Sequence, residues 1–118
     1  MSSELKSRIQ NDLNQARKER DKLRTLVLST ALSEIRNREI DGGEALDDDG
    51  VIQVLSRGIK QRKDASEQFG DAGREELAET EKAHSEQMEA EIKLVQSTMD
   101  EELDHLRGEL EAERARAD

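Results

Sequence analysis

The chain has 118 residues, of which 29 are Asp or Glu and 19 are Lys or Arg, so its formal net charge is −10 and 41% of it is charged. It contains no Pro, Cys, Trp or Tyr and one aromatic residue, Phe69. The lack of cysteine excludes disulfide frameworks, thiolate zinc sites and thiol nucleophiles, and the lack of proline, where about six would be average, points to long uninterrupted helices.

No apolar run approaches the roughly 20 residues that cross a bilayer, and the opening MSSELKSRIQ lacks the apolar stretch of a signal peptide. A cytoplasmic, non-membrane protein is the expectation. Apolar side chains are unevenly shared: residues 1–78 hold 18 of the 24 Leu, Ile, Val and Phe residues. Residues 79–118 hold the other six, together with thirteen acidic and five basic residues. The expected organisation is therefore a helical bundle over 1–78 and an acidic amphipathic helix over 79–118.

Periodicity is helical throughout, which makes the predicted fold all-α. Leu5, Ile9, Leu13 and Ala16 form one stripe on a first helix of about 15 residues. Asp21 then offers an N-cap for a second helix over roughly 21–40. That helix carries Leu23, Leu26, Val27, Leu28, Ala31, Leu32 and Ile35, an arc too wide for one contact, so it should be central. The segment DGGEALDDDG reads as a loop, with Asp47 or Asp48 capping a third helix and Leu46 as its hydrophobic staple. The third helix spans about 49–69, with Ile52, Leu55, Ile59 and Phe69 inward. FGDAGRE breaks it, and a fourth helix starts near Ala72 or Arg74.

From Met88 the apolar positions Met88, Ile92, Val95, Met99, Leu103, Leu106 and Leu110 follow an 11-residue repeat, which keeps a stripe nearly straight along a helix. From Arg74 to Ala115 such a helix is roughly 63 Å long, more than a bundle of this size should cover. The stripe is thus expected to form a coiled-coil-like pair with a second copy through residues 88–110, as an antiparallel homodimer. That orientation sets Arg114 and Arg116 beside the acidic start of the partner tail. The alternative is that the tail folds back over its own bundle.

Few residues suggest chemistry. His84 and His105 are isolated on helix faces, and the aspartates of 41–50 lack the order and the closing Glu of a calcium loop. No phosphate loop, nucleophile elbow or Ser/His/Asp set is visible, so no catalytic residue, metal site or cofactor is expected. The basic residues Arg36, Arg38, Arg57, Lys60, Arg62, Lys63 and Arg74 gather near the second and third helices. They can neutralise nucleic-acid phosphates or simply form a solvated face with intrahelical pairs such as Lys60–Asp64 and Lys63–Glu67.

Val51–Leu77, VIQVLSRGIKQRKDASEQFGDAGREEL, resembles the GatB/YqeY family in its Ile59-Lys60-Gln61-Arg62, Phe69 and Ala72-Gly73-Arg74, and Lys22–Asp41 resembles the family's preceding helix. The likeness covers about residues 3–83. It implies a YqeY-like helical bundle, related to the tail that helps a glutamine-dependent tRNA amidotransferase hold tRNA. The implied function is a non-catalytic accessory module that contacts tRNA or an amidotransferase-like protein through the basic face of the second and third helices. Any enzyme label, a carbon–nitrogen ligase with glutamine as amido donor, would be inherited by association only. Around Met88–Leu94 the chain reads MEAEIKL where the family turns through Tyr-Leu-Pro, so a different helix is expected to continue there. The other reading is a structural protein in which the C-terminal helix drives dimerisation and the bundle is a scaffold.

Overall fold

The computed structural model describes residues 3–117, which form four helices and no strand. They are α1 (Glu4–Glu19), α2 (Lys22–Gly42), α3 (Asp48–Asp71) and α4 (Glu75–Ala117).

Short polar side chains start the first three helices by accepting an orphan backbone N–H. Ser3 accepts from the Lys6 N–H at 3.1 Å, Asp21 from Arg24 at 3.1 Å and Asp47 from Gly50 at 2.8 Å. The ends are set by left-handed backbone. α1 stops at Arg20 with φ 58°, where the Asp21 N–H bonds Ala16 O at 3.0 Å, and α2 stops at Gly43 with φ 73°. A three-residue turn, Ala72–Arg74, then reverses the chain, with Gly73 at φ 76°.

α2, like each of the other helices, touches all three of its neighbours. Its Val27, Leu28, Ala31, Leu32 and Ile35 are buried, whereas Leu23 and Leu26 at its start are exposed. They meet Leu5, Ile9, Leu13 and Ala16 of α1, and Val51 and Leu55 of α3. Leu46 packs against this cluster from the loop, and Ile52 and Ile59 do so in part.

Over its first part the tail takes the alternative course and folds back over its own bundle. Met88 and Val95 belong to the same core cluster, with Ile92 and Met99 packed on it. The turn at 72–74 lays α4 back along α3, its most extensive partner, so α4 closes the face that the first three helices leave open. The core therefore continues past the change of composition at residue 79. Four of the seven stripe residues are spent on their own bundle instead of a second copy. Beyond about residue 102 α4 leaves the bundle, and 101–117 are exposed throughout. That overhang stretches the molecule to 69 × 31 × 27 Å.

Candidate functional site

The seven basic residues do not share one face, because α2 and α3 turn them in different directions. Arg36 lies towards α1, its guanidinium donating to Gln10 Oε1 at 3.4 Å. Arg62 lies between α2 and α4, with Glu34 Oε1 and Glu81 Oε2 each 3.6 Å from its terminal nitrogens. Lys63 pairs with Glu89 of α4 instead of Glu67. Arg74 sits in the turn after α3 and hands its N–H to Phe69 O at 2.8 Å. From Arg57 to the end of α3 at Asp71 is roughly 21 Å, and Arg74 lies beyond it, remote from Arg38, Arg57 and Lys60.

Arg38 of α2 and Arg57 of α3 do come together. They line an open groove of about 220 Å³ with Asn37, Gln61 and Val54, and a neighbouring one of about 210 Å³ with Gln53. Lys60, one turn along α3, is exposed as well. Among the described residues these three cations form no ion pair. Glu34 and Asp41 stand in the same groove. Burial holds the Glu34 carboxyl above its ordinary value, and the Arg62 charge opposes that shift. Gly58 lets Glu34 approach: a Cβ there would lie 2.8 Å from Glu34 Oε2. The groove thus presents two arginines and two carboxylates beside three amides, over an apolar floor at Val54.

Sequence reasoning missed a second set of charged groups, which fastens the helices. Arg24 of α2 grips Glu91 of α4 through two hydrogen bonds, 2.5 and 3.2 Å, and Gln87 donates to the same carboxylate at 3.0 Å. Glu91 is 4% exposed. Its hydrogen bond is the main reason the Arg24 pKa rises above its ordinary value. Asp12 of α1 approaches the same guanidinium at 3.8 Å, while burial raises its own pKa. At the other end of the bundle Glu39 accepts from Lys6 Nζ at 2.6 Å and from the Leu46 N–H at 2.9 Å, and these bonds lower its pKa. Ser3 and the Leu5 N–H both donate to Asp48, and Arg8 pairs with Glu102. Nothing in the local sequence marks these long-range pairs.

A family model described as Yqey-like protein matches residues 6–113. The chain belongs to the YqeY-like family. The match runs through most of α4, so the sequence-level resemblance, which ended near residue 83, stopped too early: the helix after Met88 lies within the family's extent. Three curated relatives bear the name Altered inheritance of mitochondria protein 41, mitochondrial. That of Clavispora lusitaniae is 31% identical over 115 residues, 94% of this chain and 67% of the relative. That of Lachancea thermotolerans is 37% identical over 79 residues, 66% of this chain and 42% of the relative. That of Vanderwaltozyma polyspora is 33% identical over 93 residues, 78% of this chain and 46% of the relative. The chain thus spans about two thirds of one relative and under half of the other two. Among the described residues, no helix is long and apolar enough to cross a membrane.

Proposed function

We propose that this YqeY-like chain is a non-catalytic accessory module that holds tRNA by its phosphate backbone through the groove between α2 and α3. The observation that carries the reading is the convergence of Arg38 and Arg57, with Lys60 beside them, on one open surface. The remaining sequence-predicted cations point elsewhere or face carboxylates. Guanidinium groups suit phosphate because their donors form a planar fork. The net charge of −10 opposes approach of a polyanion at long range, so contact is local, weak and dependent on those two or three charges. The relatives are named as mitochondrial, and the reading needs only a compartment that contains tRNA, whether the cytoplasm or an organelle.

The test is tRNA binding by the full chain across a salt series. With two to three phosphate contacts, affinity should fall about 10- to 40-fold between roughly 50 and 200 mM salt. Arg38→Glu with Arg57→Glu should abolish it, and Arg36→Glu, on the α1 side, should leave it unchanged. No binding at the lowest salt, or binding indifferent to the Arg38 and Arg57 changes, would refute the reading.

A further inference from the structure

We infer that the overhang of α4 is a docking surface for a second copy of this chain, laid antiparallel across it. Leu103, Leu106 and Leu110 follow Met99 at steps of four, three and four, so they extend the stripe that Met88, Ile92, Val95 and Met99 press into the core. They lie past the end of the bundle and are 51%, 58% and 51% exposed. The line of apolar side chains is therefore continuous, covered over its first half and bare over its second.

Two features select the occupant and its direction. The first is steric. The bare leucines point to the same side of α4 as the bundle does. A helix packed on them lies about 8–10 Å away on that side. If it ran parallel, its preceding turns would enter the space that α1 and α3 fill. An antiparallel copy avoids this, because its own bundle lies at the far end of the shared segment.

The second feature is charge. The end of the bundle from which α4 emerges is identified by the Ser3–Asp48 and Arg8–Glu102 contacts. It carries Glu4, Glu44, Asp47, Asp48 and Asp49, with Asp100, Glu101 and Glu102 at the root of the overhang; Arg8 pairs with Glu4 and Glu102, and the other carboxylates remain in excess. The far end of α4 carries Arg114 and Arg116 in its last turn. An antiparallel copy sets Leu106 of each chain against Leu110 of the other and brings its two arginines to that acidic end. Parallel copies would place acid against acid. The occupied segment is thus about residues 103–117, not the 88–110 expected from sequence, and it is independent of the α2–α3 groove.

Sedimentation of the full chain tests the inference. Three leucines per copy make a small interface, so a monomer–dimer equilibrium with a dissociation constant on the order of 10–100 μM is expected. Leu106→Glu with Leu110→Glu should be monomeric with unchanged helicity, since both side chains lie outside the core. Arg114→Glu with Arg116→Glu should weaken the dimer about tenfold. Direction is read by disulfide trapping, because the chain has no cysteine of its own. In an antiparallel pair Leu103→Cys of one copy faces Glu113→Cys of the other, while two copies of Leu103→Cys stay roughly 15 Å apart along the axis. A full chain that remains monomeric at about 100 μM would overturn the proposal. So would a leucine variant that dimerises equally well, an unaffected arginine variant, or preferential self-trapping of Leu103→Cys.

Discussion

Glu91 is the residue whose loss of partner should be felt most. It is buried on α4, and Arg24 supplies the countercharge from α2 with Gln87 completing the set. Removing one side of such a pair leaves a charge without compensation in a poorly solvated place. Because Arg24 keeps some exposure, Arg24→Met should cost roughly 1.5–3 kcal/mol in urea unfolding. Glu91→Gln, which keeps a hydrogen-bond acceptor, should cost less than half as much. A destabilisation by Arg24→Met within about 0.5 kcal/mol, the range of ordinary surface changes, would mean that water already solvates Glu91. His84 gives the pH counterpart. It is 8% exposed, and burial, followed by the Arg62 charge, lowers its pKa below the ordinary 6.5, with Glu81 acting the other way. The folded state therefore resists the proton that the unfolded chain accepts. The contribution is complete above about pH 6.5 and declines as pH falls through that value towards the folded pKa. Unfolding free energy followed from pH 7.5 to 5 should slope downward, and His84→Gln should flatten that part of the curve; an unchanged slope in the variant would place the titration elsewhere.

At the level of elements, much of the architecture was readable because its causes are local. Asp21 and Asp47 cap the helices for which they were chosen, and Leu5, Ile9, Leu13 and Ala16 face inward as their spacing requires. Ser3 and Val51, by contrast, emerged only with the structure: one is too close to the start of the apolar pattern to stand out, and the other adjoins a run of aspartates. The groove was half legible. Residue type identified seven cations, but Arg36 and Arg38 lie about 200° apart around a helix, and only packing decides which of them meets Arg57. The Arg24–Glu91 pair, 67 positions apart, left no trace, since nothing in an acidic tail marks which carboxylate turns inward. The fold-back of α4 was underestimated for a related reason, because stripe length alone does not say whether three helices leave a face open. Within α4, Gly108 stands in solvent, with nothing within 4 Å of the Cβ it lacks. The helix runs through it to Ala117. Gly108→Ala should stabilise the overhang by about 1 kcal/mol and raise helicity at 222 nm, while the urea midpoint of the bundle stays in place because the site touches no core residue. A shifted midpoint would show that overhang and bundle melt as one.

For the whole molecule, the decisive feature is that a single helix serves two environments without a break. Residues 75–99 of α4 are fastened to the core by Met88, Glu91 and Val95, and the remainder runs free on the same hydrogen-bonded ladder. Shortening the chain to Ala83 would thus remove part of the core along with the proposed docking surface, whereas surface substitutions leave the core intact. The continuity also sets the order in which backbone amides become open to solvent deuterium. In the lone chain, unwinding of the overhang moves inward freely until it reaches Val95, where each further turn exposes apolar surface. Amides beyond residue 102 should exchange by fraying, and those before residue 95 only when the bundle opens as a whole. A copy laid over Leu103, Leu106 and Leu110 would move that frontier outward by about two turns, leaving a concentration-dependent band of slowed exchange between residues 100 and 111 and no change in the core.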